Sequence, residues 1–195
     1  MGNTWSVISA IKHLGFNCEL SNNIEQISNA EYIVLPGVGS FKKGIQNLKD
    51  LGLFTLLKNK NFLKEKKILG ICLGFQLLGI SSTEDGYENG LNLIPLKVDK
   101  FKFDTNNLKI PHIGFNSVKF QLQDKLFLGL KNEADFYFVH SYRFRYDFLD
   151  GFIAYCDYGE KFIAAYHKNN IYGTQFHPEK SQTNGLIILK NFFEF

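Results

Sequence analysis

The segment Lys67-Ile68-Leu69-Gly70-Ile71-Cys72-Leu73-Gly74-Phe75-Gln76 constrains the fold of this chain more than any other. A short apolar run enters a Gly-x-Cys-x-Gly turn and continues into an apolar pattern at helical spacing. This predicts a strand, a sharp elbow at Cys72 and a helix from about Leu73. Glycines two residues before and two after the cysteine let neighbouring backbones approach closely. A cysteine at such a helix start points to thiol chemistry, because the dipole and free amides favour thiolate. The competing reading is that Cys72 is a small buried hydrophobe.

The first half of the chain alternates helical and strand signals around that elbow. Val7, Ala10, Ile11 and Leu14 recur at helical spacing behind possible caps Asn3 and Thr4, with Gly15 after them, so residues 4–14 read as a helix. A strand is expected over Phe16–Leu20 and another over Tyr32–Leu35, the second stopped by Pro36-Gly37. Ile45, Leu48, Phe54 and Leu57 suggest helix interrupted near Gly52, and Ile68–Ile71 is the next strand. From about Leu93 the pattern changes to closely spaced aromatic and β-branched strands: Val98–Phe103, Ser117–Phe120, Phe136–Phe144, Phe152–Tyr155, Phe162–Tyr166 and Ile171–Phe176. Gly185–Phe195 closes the chain as a helix. The expected class is α/β: a mixed, mostly parallel sheet flanked by helices, with additional antiparallel strands, in one domain over residues 1–195.

Composition narrows the function classes. The 22 basic and 19 acidic residues are scattered, and only Lys64, Lys66 and Lys67 cluster, as the solvated end of a helix running into a strand. That is no nucleic-acid footprint. The three cysteines, Cys18, Cys72 and Cys156, lie far apart without metal-site or disulfide-scaffold spacing, which suits a reducing cytoplasm; Cys18 and Cys156 are assigned to packing. No signal pattern and no uncharged run near the roughly 18 residues of a membrane span is present. No metal and no cofactor is expected, and neither nucleic acid nor membrane is expected as a partner.

A cysteine attacking a carbonyl needs a proton shuttle. Of the five histidines, His177 in Gln175-Phe176-His177-Pro178-Glu179-Lys180 is best placed, at the end of a strand that Pro178 halts. Glu179 can accept a hydrogen bond from its imidazole and fix the tautomer. The negative oxygen that develops on the carbonyl needs donors aimed in advance. One is the Leu73 N–H; the second can come from Pro36-Gly37-Val38-Gly39, a side-chain-poor turn after a strand. An ordinary loop is the plainer reading of that turn, as a satisfied strand histidine is of His140.

Taken together, Gly70-Ile71-Cys72-Leu73-Gly74-Phe75-Gln76, Pro36-Gly37-Val38-Gly39-Ser40-Phe41, His140-Ser141-Tyr142 and Gln175-Phe176-His177-Pro178-Glu179-Lys180-Ser181 resemble a class I, triad-type glutamine amidotransferase. Pro111-His112-Ile113-Gly114-Phe115-Asn116 narrows the resemblance to the glutaminase subunits of imidazole glycerol phosphate synthase. The resemblance implies a flavodoxin-like fold and a triad of Cys72, His177 and Glu179 that releases ammonia from glutamine. It implies an oxyanion site of Gly37, Val38, Gly39 and Leu73, with Gln76, His140, Ser141 and Tyr142 binding glutamine. It further implies a heterodimer with a (β/α)8-barrel cyclase subunit, into which the ammonia passes to make imidazole glycerol phosphate and aminoimidazole carboxamide ribotide for histidine biosynthesis.

Three departures accompany the resemblance. Phe75 and Phe115 stand where the family has methionine and tryptophan, the latter at the partner interface that the resemblance implies. Family members also open with an apolar strand, and Met1-Gly2-Asn3 matches only the end of that segment, so the first strand is expected to be missing and translation to start upstream. Two alternative functions stand beside the main one: a paralogous glutaminase feeding another amidation, such as surface-sugar modification, and a non-catalytic partner.

Overall fold

A computed structural model describes residues 4–103, 108–121, 124–147 and 149–195. The Asn3 cap and the Met1-Gly2-Asn3 match lie outside the described residues. The opening helix α1 is Thr4–His13, and it is followed by α2 Ile24–Asn29, strand β1 Tyr32–Gly37, α3 Phe41–Asp50, α4 Leu53–Leu56 and α5 Lys60–Glu65. The predicted interruption is real: Gly52, at φ +68°, sits between α3 and α4. Strand β2 Lys67–Cys72 runs into α6 Leu73–Leu77, as the elbow motif predicts. The short strands β3 Ser81–Ser82, β4 Glu88–Asn89 and β5 Val98–Lys100 come next, then β6 His112–Lys119, β7 Glu133–His140, β8 Tyr142–Phe144, β9 Phe152–Tyr158, β10 Glu160–Lys168, β11 Ile171–Thr174 and α7 Gln182–Glu194.

The main sheet has the order β1-β2-β11-β10-β9-β6-β7. Pairing is parallel from β1 through β2 to β11 and antiparallel from β11 to β7, so the antiparallel share is larger than the opening alternation of strands and helices predicts. A smaller sheet, β4-β3-β5-β8, is joined to the first where the chain passes from β7 through Ser141 into β8.

The parallel strands are apolar on both faces because both faces are covered. Along β2, Ile68 joins one core with Phe41, Ile45 and Leu48 of α3, while Leu69 and Ile71 join the other with Val7 and Ile11 of α1 and Ile188, Leu189 and Phe192 of α7. The alternation of a strand thus meets the three-and-four spacing of the helices on either side. Asparagines cap two of the helices: Asn23 accepts from the Gln26 N–H, and Asn59 from the Asn61 and Phe62 N–H groups.

One helix was not anticipated from the sequence, and one expected strand is absent. Helix α2 carries no fully buried residue and offers only Ile24 and Ile27 as an apolar pair, too short a pattern to reveal it. The strand expected over Phe16–Leu20 does not form, although Phe16 and Cys18 pack against the core. A strand exists only through ladder pairing. Residues 16–21 and β1 instead line a common cavity of about 620 Å³, together with Val7, Ile8 and Ile11 among others, and no ladder joins the two segments.

The elbow rests on close backbone contact. A Cβ on Gly74 would lie 1.7 Å from the Leu35 carbonyl oxygen, and one on Gly70 would lie 2.7 Å from the Phe75 backbone. Gly74→Ala therefore drives β1 and α6 apart. We expect a loss of more than about 3 kcal/mol of unfolding free energy, or no cooperative transition, in urea denaturation followed by circular dichroism. A variant as stable as the parent would contradict this packing.

Candidate active site

Cys72 ends β2 with φ +53° and ψ −106°, a conformation that side chains other than glycine rarely adopt. Such backbone costs on the order of 1 to 3 kcal/mol and persists only where its surroundings hold it. Here the parallel ladder with β1 and β11 fixes β2, and the Gly70 and Gly74 contacts fix the entry to α6. Helix α6 is only five residues long, so its dipole supplies less than the sequence reading assumed. Near the sulfur, the thiol lies 3.8 Å from the Val139 carbonyl oxygen, and the Gln175 side-chain amide donates to it at 3.7 Å.

His177 reaches the same place from the other side of the ladder. Its N–H donates to the Tyr137 carbonyl at 2.9 Å, and the Ser181 hydroxyl, which accepts from the Tyr137 N–H, donates to the His177 carbonyl at 2.6 Å. Pro178 opens a 3-10 turn, and the turn swings Glu179 back under the ring. The Glu179 Oε1 and His177 Nδ1 are 2.8 Å apart, with side-chain exposures of 0% and 1%. Because Nδ1 is committed to Glu179, Nε2 is the ring nitrogen left to interact with Cys72. Burial pulls the His177 pKa down, but the hydrogen bonds and charges of Cys72 and Glu179 outweigh it and raise it to about 9.

The remaining residues of the sequence reading fall into two groups. Gly37 pairs with Cys72 in the ladder, and a Cβ there would lie 3.0 Å from the Leu73 Cβ and 3.2 Å from the Gly74 nitrogen. The turn after β1 therefore lies against the elbow. Val38 is exposed on that turn, and Gly39 has φ +113°. On the other flank, Gln76 donates to the Tyr142 carbonyl at 2.7 Å, His140 is buried beside it, and the Ser141 carbonyl accepts from the Phe101 N–H.

Three groups near the site were assigned no role from the sequence: Gln175, His112 and Asn116. The signal available for Gln175 was a polar residue within an apolar strand end; it is fully buried. The ladder puts His112 opposite His140, their Nδ1 and Nε2 atoms 3.1 Å apart. Burial pushes His112 down to about 4; burial, and then the neighbouring His112, push His140 to about 3. The arrangement as a whole has what acyl transfer needs: a strained thiol, a proton-carrying imidazole held by a carboxylate, and a glycine turn against the elbow.

Residues 1–194 match the class-I glutamine amidotransferase family. The chain is 45% identical to the imidazole glycerol phosphate synthase subunit HisH 1 of Parasynechococcus marenigrum, over all of this chain and 94% of that protein. It is 43% identical to HisH 2 of Methanococcus maripaludis and 40% to HisH 2 of Pseudomonas aeruginosa, in each case over all of this chain and 95% of the relative. In fold it is similar to a crystal structure of a glutamine amidotransferase, with TM-score 0.74 and 15% identity over 99% of this chain and 93% of that one. The glutaminase domain of Trypanosoma brucei CTPS is also similar, with TM-score 0.59 and 14% identity over 98% of this chain and 86% of that one.

The depressed histidines imply a pH dependence of stability. Unfolded, His112 and His140 take protons near 6.5; folded, they refuse them down to about 4 and about 3. Their contribution is therefore complete above about pH 6.5 and is lost as pH falls toward those values. His177 acts oppositely: its contribution is present below about pH 6.5 and lost as pH rises through about 9. Urea midpoints should fall by the equivalent of a few kcal/mol between about pH 7 and about pH 5, above the range where most carboxylates titrate. A flat profile over that interval would show that the pair is not held neutral.

Proposed function

Because the chain belongs to the class-I glutamine amidotransferase family, we propose that it is the glutaminase subunit of an imidazole glycerol phosphate synthase and serves histidine biosynthesis. The observation that carries the reading is the buried Cys72–His177–Glu179 constellation on a strained elbow, with His177 hydrogen-bonded to Glu179 and coupled electrostatically to Cys72. It is supported by three relatives of that name at 40%, 43% and 45% identity across the whole chain. Residues 1–195 act as one amidotransferase domain, its two apolar cores sharing one sheet.

The chemistry follows from the parts. Cys72 passes its thiol proton to His177 Nε2 as its sulfur attacks the side-chain amide carbon of glutamine, and the carbonyl oxygen takes up negative charge. The Leu73 N–H and the Gly37-Val38-Gly39 turn receive that oxyanion. The C–N bond breaks as His177 gives its Nε2 proton to the nitrogen, leaving ammonia and a γ-glutamyl thioester. Neutral His177 then takes a proton from water, which attacks the thioester and frees glutamate and the thiol. Glu179 keeps the ring in the donating orientation throughout. Gln76, His140, Ser141 and Tyr142 line the glutamine pocket.

Ammonia in water at neutral pH becomes ammonium and loses its nucleophilicity. A heterodimer with a (β/α)8-barrel cyclase subunit that accepts ammonia directly avoids that loss. The half-exposed Phe115 and Ile113 on β6 are apolar surface suited to such docking. The chain works in the reducing cytoplasm, where Cys18, Cys72 and Cys156 stay as thiols; among the described residues no helix is long and apolar enough to cross a membrane.

Reconstitution with a barrel subunit tests the reading. The barrel's nucleotide substrate should stimulate glutamine hydrolysis, and Cys72→Ala should lower glutamine-dependent product formation by at least about 10³-fold while sparing synthesis from ammonium salts. Equal loss of both activities would overturn this division of labour. With the unsubstituted chain, kcat/KM for glutamine should fall as pH rises through about 9, where His177 loses the proton it must donate.

A further inference from the structure

The hydrogen bonds around Cys72 have a direction, and one atom determines it. The Tyr142 carbonyl oxygen can only accept. His140 Nδ1, 2.9 Å away, must therefore carry a proton. A neutral His140 then has its lone pair on Nε2, so His112 Nδ1 donates to it at 3.1 Å. The His112 lone pair falls on Nε2, which accepts from the Asn116 amide at 3.3 Å. The same Asn116 nitrogen donates to the Asp157 carbonyl and its oxygen accepts from the Ser117 N–H, which fixes the amide the same way round.

The same carbonyl orders the opposite arm. Gln76 Nε2 donates to the Tyr142 oxygen at 2.7 Å and, with its second hydrogen, to Gln175 Oε1 at 3.0 Å. The Gln175 oxygen is thereby turned away from Cys72, and its Nε2 faces the sulfur at 3.7 Å. Both glutamine side chains are buried, so an amide turned the other way would leave donors and acceptors facing their own kind.

We propose that Gln175 is a positioning residue for the Cys72 sulfur, held N–H first toward that atom by Gln76, whose amide is anchored on the Tyr142 carbonyl, the same acceptor on which a second directional arm from Asn116 through His112 and His140 ends. An N–H aimed at sulfur stabilises the thiolate over the thiol. The low pKa values of both histidines agree with a chain that needs them neutral, since a proton added to either would set two donors against each other. The polarity also extends outward to β6, whose exposed Ile113 and Phe115 flank the chain's far end. The proposal rests on the reading of Cys72 as the nucleophile, but its tests need no turnover.

Nitrogen-15 NMR of the full-length chain should find both His112 and His140 as neutral Nδ1–H tautomers between about pH 6 and pH 8; an Nε2–H tautomer at either overturns the chain. The pH profile of iodoacetamide alkylation, followed by mass spectrometry of the Cys72 peptide, should move up by about one unit in Gln175→Leu, about a tenfold loss of neutral-pH reactivity. It should move further in Gln175→Glu, which sets an acceptor against the sulfur. An unmoved profile in a folded Gln175→Leu variant overturns the role of Gln175. If the variants do not fold, the Gln175 side-chain NH2 of the unsubstituted chain decides: its NOEs should run to the Cys72 Hβ protons, and NOEs to the Gln76 side-chain amide instead would overturn the role of Gln175. A failure of glutamine cleavage in the unsubstituted complex would instead count against the nucleophile reading and leave these signatures in place.

Discussion

The left-handed backbone of Cys72 is the constraint on which the rest depends. A residue with a side chain stays at φ +53° only if the chain before and after it has nowhere else to go. Strand β2 is fixed by two parallel neighbours, and α6 is pressed so close to β1 that residue 74 has no room for a side chain. The strain is thus stored in the ladder and the helix contact together. The same contacts that create it bring the Gly37 turn against the elbow, so one packing arrangement positions both the sulfur and the candidate oxyanion donors.

His177 is positioned on a different principle. It sits past the end of β11, on a segment clamped to β7 by Tyr137 and Ser181, and its partner Glu179 comes from the next turn of chain. Local chain geometry therefore builds the His–Glu pair, whereas long-range sheet pairing delivers it to Cys72. Two parallel strands meeting side by side in the middle of the sheet, with their carboxyl ends at the site, make that delivery reliable.

Features governed by local sequence were legible. The elbow, the break at Gly52, the proline after His177 and the His177–Glu179 pair each follow from residue types within a few positions of one another. Features that depend on what lies across a ladder were not. Phe16–Leu20 has strand-like composition but joins no ladder, and α2 offers only Ile24 and Ile27 over its six residues. Gln175 and His112 have partners 99 and 28 residues away, and no spacing rule connects them.

The Tyr142 carbonyl has a consequence beyond this site's chemistry. Five side chains take their hydrogen-bond sense from one backbone oxygen, so the residue types at positions 76, 112, 116, 140 and 175 are not independent choices. A change that is tolerable at one position depends on the others already matching it. Such positions are expected to change together or stay fixed, and their effects to be non-additive. A sequence can drift at the exposed surface of β6 far more freely than along the line of donors and acceptors behind it.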